Sequence, residues 1–268
     1  MASPVIIRGG GDLASGVAVR LYRAGMRVVI AELEKPLAVR RTVAFAEAIY
    51  AGKIEIEGIV GRRIKHPSEL LDVLDAREVP VLVDPELYAL ATLSVAHVDA
   101  RMTKQPPDIA LSAVPLLIGL GPGFVAGKNC HALVETLRGH NLGRVFWEGS
   151  AAADTGKPGS LGTRELDRVL HAPDSGYLEY GAEIGQHLRK GDLIGRVGGK
   201  EILAQFHGVL RGLIHPSVEL TPGMKIGDLD PRNDPSYCRR VSDKALAVGG
   251  GVLEALLVRA EIRDQLWA

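Results

Sequence analysis

The sequence predicts an α/β fold: a Rossmann-like parallel sheet with helices, followed by a small β-rich domain and a C-terminal helix. Three observations predict it. A strand, a glycine turn, a helix, a second strand and an acid follow one another between Val5 and Glu34. Residues 176–195 recur as residues 208–227. An apolar helical face behind a capping serine closes the chain. The implied segments are 1–148 for the Rossmann-like domain with two glycine-rich loops, 149–167 for a linker, 168–232 for the duplicated β domain and 233–268 for a C-terminal helical segment.

Val5-Ile6-Ile7 suits a buried parallel strand. Gly9, Gly10 and Gly11 follow at once, and Gly9-to-Ala14 fits G-x-G-x-x-A, with Gly16 two residues on. Leu13, Val17, Leu21 and Ala24 then recur at helical spacing until Gly25. Val28-Val29-Ile30 is the next strand, with Glu32 and Glu34 where a ribose hydroxyl would be held. Glycines let a backbone approach a pyrophosphate, and a helix N-terminus supplies N–H donors and positive potential. Asp12 works against this, because a carboxylate there repels a phosphate while making a good first-turn residue. Arg8 is the nearest compensating cation. Tight strand–helix packing would also account for these glycines.

Arg40 and Arg41 open an apparent helix through Val43, Ala46, Ala48 and Ile49, and either arginine could meet an anionic ligand or simply solvate a helix start. Residues 53–65 alternate around Glu57-Gly58 as a hairpin does. Strands are expected at Val79–Val83, Val95–Val98, Val114–Ile118 and Val145–Trp147. A second glycine loop, Gly119-Leu120-Gly121-Pro122-Gly123, leads to Gly127-Lys128-Asn129. It is no Walker A motif, since Pro122 stands where a glycine is needed and Asn129 where Ser or Thr is needed. An anion nest and a structural turn both fit it. His131 begins an expected helix through Leu133, Val134 and Leu137, and it has no partners at metal-ligand spacing.

In the repeat, Gly176, Leu178, Leu188, Gly191, Ile194 and Gly195 match Gly208, Leu210, Leu220, Gly223, Ile226 and Gly227 at one fixed offset. Such self-similarity marks duplicated units, neither of which can bury its apolar face alone. The pattern resembles the barrel-sandwich hybrid of biotinyl and lipoyl carriers. Lys200 lies near their modified position, but its flanks match neither carrier, so no biotin or lipoate is expected. Ser242 is the N-cap of a last helix, interrupted by Gly249-Gly250-Gly251, each glycine costing about 1 kcal/mol. Close backbone packing or a ligand would justify them.

The 268 residues, 46% hydrophobic, suffice for more than one core. Lys+Arg 32 balance Asp+Glu 32, so nothing points to nucleic acid or a membrane surface. Cys130 and Cys238 form neither a disulfide framework nor a zinc site, and no metal is expected. Cys238 fits a small buried residue better than a nucleophile. Met1-Ala2-Ser3-Pro4 lacks the features of a signal peptide and no apolar run reaches bilayer length, so a cytoplasmic location is expected.

Several runs resemble the YqeB-type family: Arg8 to Gly16, Glu34 to Thr42, Ile118 to Gly127, Asp228 to Arg232, Ser242-Asp243-Lys244 and Gly249 to Glu254. The likeness covers almost the whole chain. It departs at Cys130, where other members usually carry Val, so that thiol is no shared functional group. The resemblance implies a role with selenium-dependent molybdenum hydroxylases. It also implies an N-terminal part like the Rossmann domain of XdhC-type factors, which handle molybdenum cofactor. On that reading the chain is a maturation factor that binds molybdenum cofactor or a related nucleotide at Gly9–Gly11, with Arg8, Arg40 or Arg41 neutralising charge. Its partners would be a molybdenum hydroxylase or its assembly proteins, and a homo-oligomer is compatible. Two alternatives stay open: a nucleotide-dependent oxidoreductase or transferase using Glu32 or Glu34, and a non-catalytic interaction scaffold. Whether the chain catalyses any reaction is also open, and no catalytic residue is assigned.

Overall fold

A computed structural model of the chain describes residues 2–90, 92–153 and 168–267. The first stretch holds β1 (Val5–Arg8), α1 (Asp12–Arg23), β2 (Val28–Glu32), α2 (Ala48–Ala51), β3 (Lys53–Ile56), β4 (Ile59–Ile64), α3 (Leu70–Asp75) and β5 (Val79–Val83). Next come β6 (Ala96–Asp99), β7 (Leu116–Leu120), β8 (Val125–Ala126), β9 (Ala132–Val134), β10 (Val145–Phe146) and β11 (Gly149–Ser150). The last stretch holds β12 (Val169–His171), β13 (Leu178–Tyr180), β14 (His187–Leu188), β15 (Leu193–Val197), β16 (Lys200–Leu203), β17 (Gly208–Leu213) and β18 (Lys225–Asp230), then α4 (Asp243–Val258) and α5 (Ala260–Leu266). Most of the expected linker, residues 154–167, lies outside the described residues.

β1 is fully buried and lies between β2 and β6, parallel to both. The sheet has nine strands in the order β10-β9-β7-β6-β1-β2-β5-β4-β3, parallel through the middle and antiparallel at both edges. Its pleat sorts residues between two cores. Val5, Ile7, Val28, Ile30, Val98 and Ile118 pack under α1 and α4. Ile6, Val29 and Ala31 face α3 with Leu70, Val73 and Leu74, and Leu117 and Leu133 join a smaller cluster with Phe124 and Cys130. Alternate residues of a strand meet opposite faces, so a continuous apolar run is what a strand covered on both sides needs.

This architecture corrects the expected Rossmann-like parallel sheet with a barrel-sandwich-hybrid-like domain and a trailing helix. The nine-stranded sheet is mixed. Among the described residues no α-helix crosses from β5 to β6 or from β6 to β7. The helix that covers β7 and β9 beside α1 is α4, from the far end of the chain. A crossover helix is expected between neighbouring parallel strands, but periodicity cannot show that a segment over a hundred residues away takes its place. The helix expected after His131 is instead strand β9, parallel to β7 and buried on both faces. A short apolar run is ambiguous in this way. The helix expected from Arg40 is two short 3-10 turns, Arg41–Val43 and Phe45–Glu47, followed by the single turn α2.

The glycines of α4 permit its close approach to α1. A Cβ on Gly249 would lie 2.7 Å from the Gly16 carbonyl oxygen, and one on Gly16 would lie 2.5 Å from the Ala245 Cβ. Gly251 packs in the same way on the Gly143 carbonyl. The Ser242 side chain caps α4, accepting from the Ala245 N–H at 3.1 Å.

The repeat is realised as exchanged strands with their own core around Leu178, Ile194, Leu210, Leu220 and Ile226. Leu188 of β14 pairs with Gly208, and Gly176 pairs with Leu220, which are the same contact with the two copies exchanged. Val169↔Asp228 and Glu201↔Arg196 are a second such pair, so β12 belongs to the duplication as well. The strands are divided between a four-stranded sheet, β12-β18-β17-β14, and a three-stranded sheet, β13-β15-β16. Lys200 opens β16 and makes an ion pair with Asp174 at 3.0 Å.

The segment Leu37–Thr42 ties the two cores together. The Leu213 N–H donates to the Val39 carbonyl at 2.9 Å, and Arg41 Nε donates to the Leu213 carbonyl at 2.8 Å. Gly212 has no room for a side chain, because a Cβ would sit 2.8 Å from the Val39 oxygen. Tyr50 stacks on His215 with ring centroids 3.7 Å apart.

Candidate functional site: a cationic cleft at the strand ends

One cleft of about 1100 Å³ lies where the parallel strands end. Gly9 and Gly11 after β1, Glu32 and Leu33 at the end of β2, Pro85 and Glu86 after β5, Ala100 to Lys104 after β6 and Glu135 to Arg138 after β9 form one wall. Arg168, Arg211, Lys225 and Asp228 of the β unit form the other, and Arg232 with Arg240 to Lys244 close the rim. Ligands of open α/β sheets bind in this position, outside the carboxyl ends of the strands. Eleven Lys and Arg line the cleft against six Asp and Glu, in a chain that is neutral as a whole. Leu13, Leu33, Leu37 and Met102 add apolar surface.

The predicted residues fare differently. Gly11 opens directly into the cleft, and a Cβ there would meet nothing within 4 Å. Gly9 lines the cleft with φ +95°, a conformation that favours glycine. Gly10 serves packing instead: a Cβ would lie 2.8 Å from the Ala46 nitrogen. Ala14 and Gly16 are buried within α1, away from the cleft. Gly119, Gly121 and Gly123 do not line it either. A side chain on them would strike Phe124, Thr136 and the Gln105 main chain, so the second loop is packed tightly against its neighbours. Its Pro122 alone reaches the cleft wall.

Glu32 lines the cleft, but its carboxylate is occupied. Oε2 accepts from the Gly10 N–H at 2.6 Å and Oε1 from the Leu33 N–H at 2.7 Å. Burial raises its pKa, against the pull of those two N–H donors. Glu34 is exposed and off the cleft. Arg8 is buried; it donates to the Pro85 carbonyl at 2.6 Å and pairs with Asp108 and Glu86. The expected neutralisation of Asp12 by Arg8 is therefore corrected. Arg40 neutralises Asp12 at 2.9 Å, because the chain doubles back from β2 and brings residue 40 over the helix start. Arg41 points away from the cleft, to Glu47 at 2.6 Å and the Tyr180 hydroxyl at 3.1 Å.

The sequence reading missed further cations of the cleft, among them Arg138, Arg168, Arg211, Lys225 and Lys244. Arg168 and Arg211 both grip Asp228, Arg168 at 2.9 Å. Arg138 holds Asp243 through two bonds of 2.8 Å, which keeps that carboxyl far below the usual range. The ammonium groups of Lys225 and Lys244 make no hydrogen bond or ion pair among the described residues. Burial lowers both pKa values; Arg168 and Arg211 push Lys225 further down, and Arg138 and Lys225 do so for Lys244. Lys225 is exposed to solvent, yet the cleft walls surround it closely enough to desolvate its ammonium. Residues 228–232 and 242–244 were read from the sequence as the end of the repeat, a helix start and runs of family likeness, not as a site. The glycine pattern pointed to one wall, and no local pattern marks the other.

Glu135 is likewise a buried carboxylate turned inward, accepting from the N–H groups of Thr136, Leu137 and Ala152 at 2.7, 2.7 and 2.8 Å. His131 accepts from the Leu117 N–H at 2.9 Å and is structural. Among the described residues no helix is long and apolar enough to cross a membrane, and no group of three His, Cys, Asp or Glu side chains is placed to hold a metal ion.

No protein-family model matches the chain. Three solved structures share weak likeness, each with 85% of this chain covered. An aspartoacylase family protein from Mesorhizobium loti is 10% identical with TM-score 0.22, over 52% of its own chain. A succinylglutamate desuccinylase/aspartoacylase from Rhodobacter sphaeroides is 14% identical with TM-score 0.26, over 85% of its chain. The ectoine utilization protein EutE (DoeB) from Ruegeria pomeroyi is 12% identical with TM-score 0.26, over 86% of its chain. At such scores the fold stands on the strand order described above. The uncharacterized protein YqeB of Escherichia coli K12 is 44% identical over 255 residues, 95% of this chain and 47% of YqeB, so the chain spans about half the length of that curated relative. By sequence, along nearly all of its own length, the chain is a homologue of YqeB.

Proposed function

We propose that the chain is a maturation or accessory factor for selenium-dependent molybdenum hydroxylases that holds molybdenum cofactor, or a related nucleotide, in the cleft at the strand ends. The observation that carries this reading is the charge of that cleft, eleven basic against six acidic residues in a chain of zero net charge. A cleft focuses the field of like charges and raises the local concentration of an anion. The apolar Leu33, Leu37 and Met102 on the same lining suit the flat ring system of a pterin or base. The molybdenum-hydroxylase part of the reading comes from the family resemblance of the sequence runs; the relative YqeB is itself uncharacterized. A hydroxylase or its assembly proteins would be the partners.

The test is a thermal-shift and calorimetric series on the purified chain with molybdenum cofactor, NAD, NADP, ATP and CTP. Stabilisation by molybdenum cofactor, reduced by Gly11→Val because the valine enters the cleft, is expected. No binding of molybdenum cofactor would reject the reading. The alternative of an NAD-type enzyme draws less support, since both oxygens of Glu32 are already committed to main-chain donors.

A further inference from the structure

The carboxylates and cations of the cleft do not cancel evenly. Asp12 is held by Arg40, Asp243 by Arg138, and Asp228 by Arg168 and Arg211 together. Glu135 is saturated by three main-chain N–H groups. The acids that act on Lys225 and Lys244, Asp228, Asp12 and Glu135, are therefore already occupied, and the two ammoniums line the same cleft with no ion pair of their own among the described residues. Burial lowers both pKa values first; Arg168 and Arg211 add to this at Lys225 and Arg138 and Lys225 at Lys244, against the pull of Asp228 and Asp12. Uncompensated cations in a partly desolvated cleft are costly unless an anion joins them.

The glycine turn offers the opposite environment. The Glu32 carboxylate takes the Gly10 N–H, and Asp12 is the first residue of α1. Glu32 thus takes a main-chain donor that a Rossmann-like turn would offer a phosphate, and the Arg40 cation beside the turn is already engaged by Asp12.

We infer that the cleft binds a phosphate or diphosphate group through Lys225 of the β unit and Lys244 at the start of α4, and not through the Gly9–Gly11 turn. This refines the site of the anionic ligand proposed above and rests on that reading for the ligand's identity, but not for its chemistry. The rest of the ligand then extends past Gly11 towards Leu33 and Leu37.

The test is calorimetric titration of the purified chain with inorganic pyrophosphate, CTP and cytidine, repeated for Lys225→Gln, Lys244→Gln, Lys244→Arg and Gly11→Val, each checked for folding by circular dichroism. Pyrophosphate should bind, cytidine should not, and each Lys→Gln change should weaken pyrophosphate at least tenfold. Lys244→Arg should retain most of the affinity, and Gly11→Val should change it less than twofold. CTP binding well above pyrophosphate identifies a nucleotide as the source of the group; equal affinity identifies the free anion. Wild-type affinity in both folded Lys→Gln variants, loss of pyrophosphate binding in Gly11→Val, or no pyrophosphate binding at all overturns the subsite. Pyrophosphate binding without molybdenum cofactor binding would instead retain the subsite and reject the proposed function.

Discussion

Arg40 holds Asp12 through one guanidinium nitrogen, Nη1, which lies 2.9 Å from each carboxylate oxygen. Its Nη2 donates to the carbonyls of Tyr237 and Arg240 at 2.9 and 3.0 Å. One side chain thus joins the start of α1, the segment after β2 and the chain leading into α4.

Removing this guanidinium leaves Asp12 without its cation and two carbonyls without donors. Arg40→Ala should cost about 3 kcal/mol, as loss of one partner of a buried pair does. Arg40→Lys should recover only part, since an ammonium cannot span all four acceptors. Urea denaturation of the three proteins measures both; equal stability of wild type and Arg40→Ala would show that the pair contributes nothing.

The glycine run of α4 separates two causes. Gly16→Ala pushes a methyl against Ala245 and should destabilise by about 1–3 kcal/mol through overpacking. Gly250 has nothing within 4 Å of a Cβ, so Gly250→Ala should stabilise by about 1 kcal/mol through helix propensity alone. Thermal melts of the two variants should shift in opposite directions.

His97 on β6 is 1% exposed, and neither ring nitrogen has a partner among the described residues. Burial, with the nearby Arg8, pulls its pKa down to about 4. The unfolded chain therefore binds a proton that the native chain refuses, and stability should fall as pH drops from about 6.5 towards 4. The loss should approach about 3 kcal/mol for this one group. Denaturation midpoints at pH 7 and pH 4.5 should differ more in wild type than in His97→Leu; equal pH dependence in the two would assign the acid loss elsewhere.

Glu32 holds the glycine turn whether or not a ligand is present. Glu32→Ala leaves the Gly10 and Leu33 N–H groups unpaired and should destabilise the ligand-free protein by about 1–3 kcal/mol. A variant of unchanged stability that specifically loses NAD binding would return Glu32 to the ribose role.

The thiols should be inert. Cys130 is pushed up to about 11, by burial first, and Cys238 is also raised by burial. Neither should react with a maleimide at pH 8 in the native protein, and both should after unfolding.

What the sequence determined by itself was local and periodic. The strand, turn, helix and strand from Val5 to Glu32 follow from apolar runs and a glycine turn. The Lys53–Ile64 hairpin follows from alternation around Glu57-Gly58, both at positive φ. The cap at Ser242 and the equivalence of Gly176 with Gly208 are equally legible, since each depends on neighbours or on one fixed shift. Tertiary structure alone decided which distant segments share a surface. α4 covers the sheet where a crossover helix was expected, Arg40 rather than Arg8 meets Asp12, and Lys225 and Lys244 line the same cleft as Gly11. Burial and charge pairing depend on through-space distance, and chain order carries no record of that distance once the backbone turns back on itself.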